Sequence, residues 1–176
     1  MATTEQIREL VEKMAAEREA LLSEAEALSD SEASRTPSDA EGEAGWTAKQ
    51  QLAHLAEMET GYRAWVEHAL AEESPDVSNV RGDRVAIPLT GAQQHSVPEL
   101  AAQLRAEREK TLALIESMAP AQFDRTASHA MFGSLTAMQW LRSYYRHDRM
   151  HRDQIAGRQP EYRPRFIGGK EPDQRR

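Results

Sequence analysis

Apolar residues recur every three or four positions in four long stretches of this chain, roughly residues 3–28, 46–73, 96–118 and 134–157. That period is typical of an α-helix that buries one face. The first stretch can be capped by Thr3 or Thr4 and the last by Ser134 or Thr136. Helices of this kind must bury their apolar faces against one another, so the sequence predicts an all-α four-helix bundle.

Two of the predicted helices begin with a capping box, formed by Thr47 with Gln50 and by Ser96 with Glu99. Polar residues with Gly and Pro fill the connections, of which 29–45 is predicted as a long loop, and 76–95 and 121–133 as further linking segments. Connections of this length favour a bundle with crossovers over a simple up-and-down array. We expect one bundle domain, 1–157, followed by a basic surface tail, 158–176.

Composition excludes several kinds of function. The 176 residues contain no cysteine, so disulfides, thiolate metal sites and a cysteine nucleophile are excluded. A net charge of −7 argues against sequence-independent nucleic-acid binding, which requires clustered Lys and Arg. No secretory leader and no membrane-spanning apolar run is evident, so we expect a cytoplasmic protein that binds neither nucleic acid nor membrane. Arginines between Arg142 and Arg165 either attract an anionic substrate or pair with Asp148 and Asp153 on a solvated face.

The last predicted helix carries His147 and His151, four residues apart. This spacing stacks two imidazoles on one helix face, where they can bind one divalent cation. Trp140 and Tyr144 lie on the same stripe, which indicates that it faces inward. Two histidines make an incomplete site, and His54 in the second helix is the best candidate for a third ligand.

Two motifs occur together in this chain. Trp46-Thr47 precedes a helix with Gln51-Leu52-Ala53-His54-Leu55, and the last helix carries His147-Asp148-Arg149-Met150-His151, then Gln154-Ile155 and Gly157. Together they resemble the motifs of the DinB/YfiT-like family, which shares its bundle with mycothiol-dependent maleylpyruvate isomerases and bacillithiol transferases. The resemblance extends from about Ile7 to Gly157. It implies that His54, His147 and His151 bind a divalent metal. Histidine ligands accept Zn, Ni, Fe, Co or Mn, so they do not determine which metal is bound.

Three neutral imidazoles would leave coordination positions open, which is more typical of catalytic than of structural sites. The sequence indicates no fourth protein ligand. Met58, Trp140 and Tyr144 are candidates to line a pocket at the metal, although the two aromatic residues fit a core equally well. Glu57, Glu59 and Asp148 are candidates to orient the histidines through their second ring nitrogens.

We therefore expect a metal-dependent enzyme that acts on a small molecule. The metal would activate either the thiol of a low-molecular-weight cosubstrate for attack on an electrophile, or water for hydrolysis of an ester or amide. The alternative is a non-enzymatic, stress-related bundle that binds a metal or ligand and pairs with itself as a homodimer. A third interpretation is a partner-binding helical module without a metal.

Overall fold

The computed structural model describes residues 1–38 and 40–167 and contains four long helices and one short one. The α-helices are α1 (Thr4–Glu26), α2 (Asp30–Ala33), α3 (Ala48–Ala71), α4 (Val97–Ser117) and α5 (Ala137–Ile155). A capping box begins each of them, including the two predicted from the sequence. Within the described ranges, no helix has the length and apolar character that a membrane span requires. The predicted four-helix bundle is confirmed.

Two apolar clusters reveal how the long helices run. One cluster joins the N-terminal halves of α1 and α5 to the C-terminal halves of α3 and α4, and the other joins the opposite halves. Helix α1 is therefore parallel to α5, and α3 is parallel to α4. Helices α1 and α5 pack together, as do α3 and α4, α3 and α5, and α1 and α4. Consequently α1 lies diagonally across from α3, and α4 lies diagonally across from α5.

The parallel neighbours α3 and α4 require a connection that returns along the whole bundle. Helix α3 has 24 residues and is therefore about 36 Å long. Residues 72–96 run back beside it, because Trp65 Nε1 donates to the Val80 carbonyl at 2.9 Å and the Leu89 N–H donates to Glu57 at 2.9 Å. At Gly82 the two backbones touch, and a Cβ atom there would lie 2.2 Å from the carbonyl carbon of Thr60. The predicted crossover is this segment.

The segment 29–45 is more ordered than the predicted loop. A capping box between Ser29 and Glu32 begins α2, and residues Gly42–Gly45 form a 3-10 helix. The Trp46 N–H donates to the Glu43 carbonyl at 3.1 Å, so this 3-10 turn leads directly into the cap of α3. The loop prediction was wrong here because one turn of helix is too short to show an apolar period.

The segment 121–133 also differs from the prediction of an irregular connection. Strands β1 (Thr126–His129) and β2 (Gly133–Thr136) form an antiparallel hairpin in the register Thr126↔Thr136. Gly133 has a φ of +78°, a left-handed value that glycine adopts without strain. The hairpin brings β2 directly to Thr136, which caps α5.

A buried ion network crosses the middle of the bundle, with one charged residue from each long helix: Arg18, Glu59, Arg108 and Asp148. Arg18 donates to Glu59 at 2.6 Å and to Asp148 at 2.9 Å, and Arg108 donates to the same two carboxylates at 2.7 and 2.8 Å. All four side chains are buried. Burial acts to raise the pKa of Asp148, but the charges of Arg18 and Arg108 outweigh it and hold that pKa below its usual value.

The first part of the predicted tail packs on the bundle. The Ile167 N–H donates to the Met131 carbonyl at 2.8 Å, and the rings of Phe166 and Phe132 lie 5.3 Å apart. Arg149 on α5 pairs with Glu161 at 2.5 Å. Residues 168–176 of the predicted tail lie outside the described residues.

Asp148→Asn tests the buried ion network. The substitution keeps the side-chain shape but leaves an uncompensated arginine charge in the core, so we expect the free energy of unfolding to fall by about 3–5 kcal/mol. Urea denaturation of the metal-free protein measures this change. Glu9→Gln is the matched control, because Glu9 forms an exposed pair with Lys13 on α1, and its unfolding midpoint should stay unchanged. Equal effects of the two substitutions would contradict the prediction.

Candidate metal centre

Four potential metal ligands converge between α3, α5 and the 3-10 helix: Glu43, His54, His147 and His151. One ligand atom from each lies within 4.8 Å of the others. The Nε2 atoms of His147 and His151 are 3.0 Å apart, one helical turn along α5. The ring of His54 is centred 5.1 Å from that of His147 and 5.3 Å from that of His151. The structure therefore brings together the three histidines singled out in the sequence.

Glu43 is the residue that the sequence analysis missed. Its Oε1 atom lies 3.3 Å from Nε2 of His54, and its Oε2 atom lies 3.4 Å from Nε2 of His151 and 3.7 Å from Nε2 of His147. The carboxylate thus faces all three imidazoles. The sequence indicated no fourth protein ligand, and the structure adds a fourth potential ligand from a segment that was predicted as a loop.

A hydrogen bond fixes which nitrogen of His151 faces the centre. The Gln51 side-chain amide donates to the Trp46 carbonyl at 3.2 Å, which orients its Oε1 atom toward Nδ1 of His151 at 2.9 Å. Because that oxygen can only accept, Nδ1 carries the proton. In the neutral ring, the Nε2 lone pair is then directed at the other ligand atoms.

Among the described residues, Nδ1 of His147 and the hydroxyl of Tyr144 are both buried without a hydrogen-bond partner. Both residues line a cavity of about 10 Å³ that also reaches Glu59 and Asp148. A cavity of this size holds one water molecule, which could accept a hydrogen bond from Nδ1–H of His147. The cavity connects the histidine cluster with the buried ion network.

Two of the site histidines, His54 and His151, are buried as neutral rings. Burial lowers the pKa of His151 to about 3 and also lowers the pKa of His54, because solvent no longer stabilises the imidazolium form. Metal binding requires this neutral form, so no proton has to leave these two rings at neutral pH.

The ligand set fits a divalent first-row metal ion. Imidazole nitrogen and carboxylate oxygen are ligands that Zn, Ni, Fe, Co and Mn accept. Within residues 1–38 and 40–167, the Nε2 atom of His54 is buried without a hydrogen-bond partner. In the same ranges, the Glu43 carboxylate faces the three histidines and pairs with no Lys or Arg. A cation at the centre would satisfy His54 and compensate the buried carboxylate charge.

The carboxylates suggested to orient the histidines are engaged elsewhere. Glu59 and Asp148 accept hydrogen bonds from the arginines of the buried ion network, and Glu57 accepts the Leu89 N–H. His151 donates its hydrogen bond instead to an amide oxygen, Oε1 of Gln51. A helical position three residues from His54 or next to His147 was therefore a poor guide to the acceptor.

A cleft of about 750 Å³ opens above the cluster, with Glu43 and His147 in its wall. Met58 and Trp140, two of the predicted pocket residues, line this cleft. Tyr144, the third, lines the small cavity beneath. Trp140 and Tyr144 also belong to the apolar core. Trp140 therefore both lines the cleft and packs in the core. The cluster is thus buried yet accessible to a small molecule.

A family model described as the DinB superfamily matches residues 6–155. This chain belongs to the DinB superfamily. The match includes α3, α4, α5, all but the first two residues of α1, and every residue of the cluster. No curated protein matches the chain.

A solved structure with the same fold is YfiT from Bacillus subtilis, a probable metal-dependent hydrolase with an unusual four-helix bundle topology. The two chains are 20% identical, the TM-score is 0.70, and the match covers 89% of this chain and 87% of YfiT. The likeness shows that this DinB-superfamily chain has the YfiT fold.

The metal-free protein should lose stability as the pH falls below about 6.5, the pKa of histidine in an unfolded chain. Between that pH and the folded-state pKa of His151, about 3, the unfolded chain binds a proton that the folded chain does not. Each such histidine lowers the free energy of unfolding by up to about 1.4 kcal/mol per pH unit.

Urea denaturation of wild type and His151→Gln across the range from about pH 5 to 7.5 measures this dependence. We expect a shallower slope in the variant. His95→Gln serves as the control, because His95 is half-exposed and outside the cluster. Identical slopes in wild type and His151→Gln would refute the assignment of His151 as a buried neutral ring.

Proposed function

We propose that this chain is a metal-dependent enzyme acting on a small molecule, and that hydrolysis is its reaction. The observation that carries the proposal is the cluster of three histidines and Glu43 in the wall of an open cleft. The description of YfiT as a probable metal-dependent hydrolase supports the same reaction type. A non-enzymatic metal-binding bundle would not need a cleft of about 750 Å³, a volume typical of small-molecule sites.

His54, His147 and His151 would hold the metal through Nε2, with Glu43 as a fourth protein ligand. The bound metal would supply Lewis acidity, which lowers the pKa of water and polarises a carbonyl. Four protein ligands would fill a tetrahedral Zn site but leave positions free in the five- or six-coordinate geometries of Ni, Fe, Co and Mn. The ligand set therefore favours the latter group of metals.

Tyr62 is placed to bind the substrate. It lines the cleft beside His147, with the two rings centred 6.1 Å apart. Burial raises the pKa of Tyr62 above its usual value, so the hydroxyl keeps its proton at neutral pH. It can then donate a hydrogen bond to a substrate oxygen and hold a carbonyl group toward the histidine cluster.

A thiol transferase is the second candidate. The chain has no cysteine, so the thiol would come from a low-molecular-weight cosubstrate. The cleft volume of about 750 Å³ accommodates a small thiol beside an electrophile. Turnover of chromogenic esters without added thiol favours the hydrolase, whereas turnover of an electrophile only with thiol favours the transferase.

His147→Ala should abolish both metal retention and turnover while the fold remains. The variant loses one of three nitrogen ligands, and His147 lines the cleft instead of filling the core. Elemental analysis after dialysis measures the metal, a panel of chromogenic esters and thiol–electrophile pairs measures turnover, and circular dichroism monitors the fold. His95→Ala is the control and should match wild type. A full metal complement in His147→Ala, or full activity of chelated protein, would contradict the proposal.

Glu43→Ala tests the fourth ligand with a readout independent of activity. With Glu43 bound, Co²⁺ in the wild-type site should be five- or six-coordinate and show weak visible absorption. Removal of the carboxylate should shift the ion toward four-coordinate geometry with intense bands, and should weaken metal retention against a chelator. Glu41→Ala, on the exposed residue two positions earlier, should leave the spectrum unchanged. A wild-type spectrum in Glu43→Ala would show that Glu43 is not a ligand.

A further inference from the structure

Three arginines from two separate segments line the cleft: Arg146 on α5, and Arg163 and Arg165 in the segment after the last helix. All three side chains are exposed. Arginine is the side chain best suited to bind carboxylate or phosphate oxygens, because its planar group presents several N–H donors at once. Their convergence on one cleft is a property of the folded chain that the sequence alone left open.

Among the described residues, no carboxylate pairs with these three arginines. Glu161, an acidic residue of the cleft wall, pairs with Arg149 at 2.5 Å. Arg163 donates to a neutral amide, Gln159, at 3.3 Å. Within residues 1–38 and 40–167, neither Arg146 nor Arg163 nor Arg165 forms an ion pair with Asp or Glu. The alternative that arginines pair with Asp148 and Asp153 on a solvated face is wrong for Asp148, which is buried with Arg18 and Arg108. The pairing holds for Asp153, which lies 3.5 Å from Arg152 and 3.4 Å from Arg158.

The positive charges of Arg146 and Arg165 act on the same part of the cleft, around Tyr162. The guanidinium of Arg146 lies 5.9 Å from the centre of the Tyr162 ring. Burial raises the pKa of Tyr162, and the charges of Arg146 and Arg165 both oppose that rise. Arginines from α5 and from the following segment thus create a positive potential around one tyrosine in the cleft wall.

The rest of the wall is apolar and aromatic. Phe132 and Phe166 have ring centroids 5.3 Å apart, and Phe132 meets Trp140 edge-on at 5.8 Å. These three rings and Met58 line the same cleft as the arginines. Aromatic side chains stabilise a flat apolar group by burial and by ring contacts. The cleft therefore combines an apolar wall, a cationic side and the histidine cluster.

We propose that the substrate is an amphipathic anion: an aromatic or aliphatic body held against Phe132, Trp140 and Phe166, with a carboxylate or phosphate group bound by Arg146, Arg163 and Arg165. This inference depends on the proposed function in one respect, namely that the cleft is where the substrate binds. A molecule held in this way keeps its charged group at the arginines and leaves its apolar body beside the histidine cluster. Specificity for the anion then resides in side chains separate from the metal ligands.

Binding of 2-naphthoate and of its neutral analogue 2-naphthamide tests the proposal by isothermal titration calorimetry at low salt. We expect the carboxylate to bind about tenfold more tightly than the amide, as a few partly screened charge contacts would give. In Arg163→Gln/Arg165→Gln, and separately in Arg146→Gln, the preference should fall toward one. 2-Naphthyl phosphate, measured in parallel, shows whether the arginines favour a phosphate over a carboxylate.

Arg142→Gln is the matched control, because Arg142 lies one turn before Arg146 on α5 and does not line the cleft. This variant should keep the full preference. The same ratio is measured in nickel-loaded and chelator-treated protein, because a carboxylate could also bind the metal directly. A preference that survives metal removal and disappears in the arginine variants supports the proposal, even if the chain proves to have no metal-dependent activity.

Two outcomes would overturn the proposal. In one, the preference for the anion disappears when the metal is removed but persists in the arginine variants. The anion would then bind the metal and not the arginines. In the other, Arg142→Gln loses as much of the preference as the arginine variants, which would indicate a general effect of net charge.

Discussion

The bundle depends on four buried charged side chains. Arg18, Glu59, Arg108 and Asp148 come from four different helices and compensate one another in the core. A slide of any helix by one turn, about 5.4 Å, would separate a buried charge from its partners. Because an unpaired buried charge costs far more than a lost apolar contact, the network restricts the four helices to one register. The apolar clusters above and below the network would, by themselves, tolerate more than one register of the helices.

That register also sets the geometry of the histidine cluster. Asp148 directly follows His147 on α5, and Glu59 lies five residues after His54 on α3. The ion network holds these two helices at a fixed height relative to each other, so the imidazoles from α3 and α5 meet without any direct bond between their backbones. The Gln51 amide then fixes the ring of His151 from the first turn of α3. Ligand positions are determined by the bundle before any metal binds, which reduces the reorganisation that binding requires.

Features that repeat along the sequence were predicted, whereas single residues whose partners lie far away in the chain were missed. Helical periodicity and capping boxes identified the four long helices, and the spacing of His147 and His151 with the family resemblance identified three members of the cluster. Glu43 lies in a segment rich in Asp and Glu, where nothing distinguishes one carboxylate from its neighbours. Arg18 and Arg108 occur among other charged residues on helices, so they were indistinguishable from a solvated face, and Glu59 was suggested only as a partner of a histidine. Their partners come from other helices, and only the fold shows which charges meet.

The long helices and the segments between and after them contribute different residues to the site. The three histidines come from helices that the ion network locks together, whereas Glu43 and two of the cleft arginines come from segments outside the four long helices. Substitutions in the helical part would disturb both core packing and ligand geometry. Substitutions in the segments around residues 42–45 and 158–167 would change the fourth ligand or the cleft wall without altering the bundle. Under the proposed function, the three histidines that hold the metal come from the helices, whereas Glu43, Arg163 and Arg165 come from the connections. Proteins that share this bundle can therefore differ in what they bind.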